Sequence, residues 1–177
     1  MGRWCPGGDV KDERAVEERF VAAFGRLYPK ARRVAYRVLG DVCSAEDVAA
    51  EAMARTYARW ERVESLPWLD AWVLRVTANL ALDAARRQRP LADPPAVVES
   101  EDAIATRLAM VAALNRLPRR QREAVALHYL AGLTDDEVAR ALGIAEGTVK
   151  SHVHRGLVAL RRSLGEDDGG GLTLAVG

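Results

Sequence analysis

Cysteine is nearly absent from this 177-residue chain: Cys5 and Cys43 are its two, far apart and without a C-x-x-C or histidine neighbour. That excludes a disulfide framework and a thiolate zinc site. His152 and His154 are two residues apart, on different sides of a helix, which excludes a joint metal site. No apolar run is long enough to span a bilayer. The opening MGRWCPGGDVKDER has no apolar core for a secretory signal, and Pro6 departs from a myristoylation site. Nor is there a nucleophile–base pair, a phosphate-cradling glycine loop or a set of converging metal ligands, so an enzyme is not expected. What remains is a cytoplasmic chain with no cofactor, no metal and no membrane partner.

What is present is helical material. Hydrophobic residues make up 49% of the chain and aromatics 6%, with runs of Ala, Arg, Leu and Glu. That composition favours an all-α fold. The net charge is only +1, but it is unevenly spread: +3 over 1–89, −4 over 90–106, +5 over 107–164 and −3 over 165–177. Two basic blocks around an acidic connector point to a polyanion partner. The expected organisation is a disordered leader (1–11), a helical domain (12–89), a flexible Pro-containing linker (90–106), a second helical domain (107–164) and a loose tail (165–177).

Residues 134–162 carry the most specific pattern. Thr134 with Glu137 spells a capping box. Val138, Ala141 and Leu142 share a face, and Gly143 stands where the helix must stop in a left-handed turn. Ala139 is small where Val149 of a second helix must meet it. Val153, Leu157 and Leu160 continue the seam, while Thr148, Lys150, Ser151, His154 and Arg155 point away from it. Cations and short hydrogen-bonding groups on one helix face suit a major groove. The pattern predicts a helix-turn-helix. Ala145, at the start of its second helix, can cap nothing, and Gly156 inside it costs about 1 kcal/mol relative to alanine.

In the first block, Phe20, Val21, Phe24 and Leu27 predict one helix, with Pro29 opening a second that carries Val34, Ala35, Val38 and Leu39. Ser44 with Asp47 predicts a capping box for a helix over 44–60. Its packing stripe is Ala49, Met53, Thr56 and Trp60; its charged exterior is Glu46, Asp47, Glu51, Arg55 and Arg59, which by itself is a solvated face. Over 64–87 a Pro-containing loop precedes an amphipathic helix with Leu69, Trp72, Val73, Val76 and Leu80 inward. Arg75, Asn79, Asp83, Arg86 and Arg87 line the other side. Polar groups beside loop aromatics can clasp a DNA backbone and stack an unstacked base. The alternative, that Trp68 and Trp72 are core or hinge residues, stays open at this point. Beyond the linker, Leu108, Val111, Ala112 and Leu114 predict a helix, and Leu117-Pro118 opens another that Gly132 closes.

Together these pieces resemble the extracytoplasmic-function sigma factors of the sigma-70 family. The resemblance runs from about Phe20 to Leu164 and rests on A-E-D-V-x-x-E at 45–51, W-x-x-R-x-x-x-N-x-x-x-D-x-x-R at 72–86, L-P-x-x-x-R at 117–122, and G-L-T-x-x-E-V-A…L-G-I…G-T-V-K-S from Gly132. It implies two small helical domains, a region 2 bundle and a region 4 helix-turn-helix, in a transcription initiation factor. Glu46, Asp47, Glu51 and Arg55 would dock on the β′ clamp helices of core RNA polymerase. Trp68, Trp72, Arg75, Asn79, Asp83, Arg86 and Arg87 would hold the −10 promoter element, with exposed non-template bases captured by the 64–70 loop and Asn79. Arg122, Thr148, Lys150, Ser151, His154 and Arg155 would read the −35 element. An anti-sigma partner is a further implication. Ala50 and Met53 depart from the family's usual Gln and Phe, and His152 stands where an arginine is common. The competing reading is a stand-alone helix-turn-helix regulator of the response-regulator type.

Overall fold

The computed structural model describes residues 10–87 and 100–165. Helix α1 (Val10–Leu39) is followed by α2 (Val42–Tyr57), the short α3 (Trp60–Val63) and α4 (Leu69–Arg87). After residue 100 come α5 (Glu101–Arg116), α6 (Arg119–Val125), a π-helical turn (Ala126–Leu130), α7 (Asp135–Leu142) and α8 (Glu146–Ser163). The described residues contain no strand. Helix α1 begins within the expected leader; most of that leader, the connector up to residue 99 and nearly all of the tail lie outside the described residues.

Three boundaries differ from expectation. First, α1 runs unbroken through Pro29. An interior proline removes one hydrogen bond and crowds the carbonyl four residues back, at about 3 kcal/mol. Docking on both sides of it offsets that. Ala23 and Leu27 pack with Met53, Trp60, Val63, Leu69 and Val73, whereas Val34, Ala35 and Val38 join a second, larger cluster. Second, α2 starts before Ser44. Its N-cap is Asp41, whose side chain accepts from the Ser44 amide at 2.7 Å. Hydrogen bonds from Ser44 and Cys43 hold the Asp41 carboxyl below its usual range. The N-terminal amides of α2 thus find a carboxylate three residues earlier than the Ser44–Asp47 box predicts. Third, Glu101 and Asp102 belong to the first turn of α5, capped by Ser100, and not to the linker.

Helix α4 is also buried differently. Leu69 and Val73 are inward as expected, but Trp72, Val76 and Leu80 are only half-buried. Buried in their place are Ala71, Leu74, Thr77, Ala78, Ala81 and Leu82. The cause is a second layer. Helix α4 packs on α1 and α2 on one side, and on α5, α6, α7 and the π-helical turn on the other. One apolar cluster therefore runs from Val34 and Val38 through Leu74, Ala78 and Leu82 to Leu114, Leu127, Val138 and Leu142.

The N-cap assignment is directly testable. Asp41→Ala should lower the unfolding free energy by about 1 kcal/mol, whereas Asp47→Ala should change it by less than half of that; urea denaturation of both variants measures the difference.

Candidate nucleic-acid interface

The helix-turn-helix forms as its local chemistry dictates. The Glu137 amide donates to Thr134 Oγ1 at 3.3 Å and the Thr134 amide to Glu137 Oε2 at 2.8 Å, closing the capping box. Gly143 ends α7 at φ +66°, a conformation that side chains disfavour. Ala139 and Val149 are both buried where α7 meets α8. Ala145 makes no side-chain cap, so α8 depends on docking, through buried Val149, Val153 and Leu160. Gly156 proves to be a packing residue: a Cβ there would lie 2.6 Å from Val125 Cγ2 on α6. Sequence periodicity reads that glycine only as a cost; the approach of α6 is what requires it.

Thr148, Lys150, Ser151, His154 and Arg155 are all exposed on α8. Lys150 Nζ lies 2.8 Å from Glu146 Oε1, one turn earlier, and this pairing raises the lysine pKa. Ser151 Oγ donates to the Gly147 carbonyl at 3.0 Å. His152 is half-buried, with an Nδ1 that has no hydrogen-bond partner. Arg122 is on α6, apart from this face, and its Nη1 donates to the Asn115 carbonyl at 3.4 Å.

In the first domain the structure brings together two sets of residues that the sequence keeps apart. Arg55 of α2 and Arg59, just before α3, line a cavity of about 300 Å³ with Trp72, Val76, Asn79, Leu80 and Asp83 of α4. It adjoins a second groove of about 500 Å³ lined by Asp47, Val48, Glu51, Arg55, Leu80, Ala84 and Arg87. Arg55 and Leu80 belong to both, making one polar trough between α2 and α4. Arg59, read in the sequence as part of the charged 46–59 face, also lines the cavity shared with α4. Arg55 Nε donates to Glu51 Oε1 at 2.7 Å. Arg86 is exposed and 3.4 Å from Asp83 Oδ1.

Trp68 packs half-buried against the larger cluster, and Trp72 against the smaller one. The loop between α3 and α4 is tied to α1. Glu64 accepts from Arg19 Nε at 2.9 Å; Asp70 accepts from Lys30 at 2.7 Å and from Arg26. Burial pushes the Asp70 pKa up, but Lys30 and Arg26 outweigh it and hold the carboxyl below its usual range. Arg75 does not join the trough. It turns toward α6 and α7, where its Nη1 donates to the Ala141 carbonyl at 2.8 Å and its Nη2 lies 3.4 Å from Glu123 Oε1. Among the described residues there is no group of three metal-ligating side chains and no helix long and apolar enough to cross a membrane.

Comparison with known proteins gives this geometry a family. Residues 23–90 match the family described as Sigma-70 region 2, and residues 107–160 match Sigma-70, region 4. The RNA polymerase sigma-E factor of Streptomyces coelicolor is 34% identical over 139 residues, covering 75% of this chain and 78% of its own length. The ECF RNA polymerase sigma factor SigM of Mycobacterium tuberculosis is 32% identical over 181 residues, 92% of each chain. This chain belongs to the extracytoplasmic-function sigma factors of the sigma-70 family. Among solved structures, this sigma factor resembles RpoE of Bartonella quintana, in complex with the anti-sigma factor NepR: TM-score 0.56, 25% identity, 84% of this chain and 98% of that one. CnrH, in complex with the cytosolic domain of CnrY, shares the fold at TM-score 0.57 and 21% identity, over 84% of this chain and 89% of that one.

Two glycines of α8 should respond oppositely. A methyl group on Gly147 would meet nothing within 4 Å, so Gly147→Ala should stabilise by roughly 0.4–1 kcal/mol. Gly156→Ala should destabilise instead, because of Val125, and thermal unfolding of the two variants checks the signs.

Proposed function

We propose that this sigma factor directs core RNA polymerase to promoters by gripping two separated DNA elements. The observation that carries the reading is the presence, in region 2 then region 4 order, of the α2–α4 trough and of a helix-turn-helix with an exposed face that carries Lys150 and Arg155. The exposed acids and arginine of α2 (Glu46, Asp47, Glu51 and Arg55) dock on the β′ clamp helices. Asn79 and Trp72, at the other wall of the trough, hold −10 bases freed from the duplex, with Trp68 beside the 64–70 loop. Asp83, through its contact with Arg86, helps to orient that side chain. Arg86 and Arg87 meet phosphates, as does Arg75 once it is free. Thr148, Lys150, Ser151, His154 and Arg155 read the −35 element, and Arg122 supports them from α6. The action is binding, not catalysis: capture of an unstacked base offsets the few kcal/mol that opening costs. It takes place in the cytoplasm, where polymerase and promoter are. A protein inhibitor of the anti-sigma class is a further partner, supported by the fold shared with the Bartonella protein. A stand-alone regulator is not favoured, since it needs no region 2 trough.

Reconstitution with core polymerase tests this. The chain should start transcription at defined promoters; failure to bind core enzyme or to redirect it would refute the reading. Asn79→Ala should reduce permanganate-reactive, open promoter about 10-fold while −35 duplex affinity stays unchanged, about 1.4 kcal/mol assigned to base capture. Arg155→Ala should weaken binding to the −35 duplex by about 1–3 kcal/mol and relax specificity there, read from binding isotherms on the site and on unrelated duplexes.

A further inference from the structure

Helix α1 has two faces, and the packing of the first domain uses only one of them. Ala23, Leu27, Ala31 and Val34 are buried in the core. On the other side Glu18, Val21, Gly25, Tyr28 and Arg32 recur at alternating steps of three and four residues, the spacing of a helix–helix seam. All are exposed except the half-buried Tyr28. Val21, at 61%, is the most exposed of the large hydrophobic residues described.

An aromatic row borders this seam. Phe24 stacks on Tyr28 with ring centroids 5.1 Å apart and 13° between the planes. Phe20 continues the row from Phe24 to Tyr57, whose ring centroid is 4.7 Å from its own. Val21, Phe24 and Tyr57, all exposed, thus gather in one patch. An exposed apolar patch rich in Tyr and Phe marks a protein interface.

The symmetry of the seam decides what fits it. Glu18 lies seven residues before Gly25 and Arg32 seven after. In an antiparallel pair of α1 helices crossing at Gly25, residues equally far from that glycine stand at the same height on opposite helices. Glu18 of each copy then meets Arg32 of the other, and Glu17 flanks the same arginine. Val21 comes across from Pro29, and Phe24 lies beside its own counterpart. A parallel pair would instead set Glu18 against Glu18 and Arg32 against Arg32, so the charges select the antiparallel direction. These groups are available. Among the described residues Glu17 and Glu18 form no ion pair, and Arg32 has the exposed Glu46 at 3.6 Å. Gly25 fits the crossing point as well. A Cβ there would meet nothing within 4 Å in the single chain, so its cost to the helix has no reason in the fold, whereas a second helix could approach closely over it.

We propose that α1 is a self-association surface, on which two copies of this chain pair antiparallel through the Glu18–Arg32 face. The apolar patch supplies the affinity and the two charge pairs the direction. The contact is isologous and closes at two copies. One helix pair is a small interface beside the about 1,200–2,000 Å² of stable complexes, so the dimer is weak and reversible. It uses none of the residues proposed above to meet polymerase or promoter, and its test is independent of the sigma-factor reading.

Sedimentation equilibrium of the full chain over a range of concentrations tests the pairing. The parent protein should show a monomer–dimer equilibrium. Glu18→Arg and Arg32→Glu, each alone, should weaken dimerisation about 10-fold, since like charges then face each other at both ends. An equimolar mixture of the two variants should dimerise as the parent does, because their charges are again opposed. Gly25→Gln should weaken the dimer while the monomer melts no lower. Val21→Lys should also weaken it, and Leu108→Lys, on the exposed side of α5, should change nothing. Circular dichroism checks that each variant remains folded. A parent protein monomeric at every concentration overturns the proposal; if Val21→Lys also lowers its melting temperature, another part of the same chain covers the face. Dimerisation that survives both charge variants, or that is lost in Leu108→Lys, places the contact elsewhere and overturns the α1 surface. A mixture of the charge variants that stays monomeric overturns the antiparallel register.

Discussion

Helix α4 is buried from two sides at once, and the rest of the structure depends on that constraint. Small residues make it feasible: Ala71, Ala78 and Ala81 are buried and let neighbouring helices approach. Leu74 and Leu82 fill the remaining space, each contributing about 1.5–3 kcal/mol on burial. Two polar strips remain on the helix. One, from Trp72 through Asn79 to Asp83, opens into the trough beside α2; the other holds Arg75 against the second domain. Hydrophobic burial thus sets which polar side chains face outward and which face the partner domain.

The same packing pairs much of the charge of the first domain internally. Several cations of the first domain already have partners: Arg19 with Glu64, Arg26 and Lys30 with Asp70, and Arg75 with Glu123. Arg86 and Arg87 at the end of α4 and Lys150 and Arg155 on α8 are exposed, Arg86 beside Asp83 and Lys150 beside Glu146.

Much of the helix-turn-helix was legible in the sequence because its determinants are local. Thr134 and Glu137 are three residues apart, Gly143 follows its helix directly, and the outward face of α8 is a matter of helical spacing. The trough was legible only as two separate faces, since Arg55 and Asn79 meet through tertiary packing. Pro29 and α4 misled for the same reason. A proline predicts a break until both halves of the helix find a core, and a helix predicts one buried face until a second domain covers another. The partner of Arg75 lies 48 residues away at Glu123 and 66 away at Ala141, separations that no periodicity encodes.

Equilibrium unfolding with two probes tests the shared burial of α4 most directly. Trp60, Trp68 and Trp72 report the first domain, and the second domain, from Glu101 to Leu164, contains no tryptophan. Far-UV circular dichroism reports both. If α4 joins the domains into one body, fluorescence and dichroism should trace a single coincident transition in urea. A separate dichroism transition, with no accompanying change in tryptophan fluorescence, would show the helix-turn-helix domain unfolding on its own and would contradict the account.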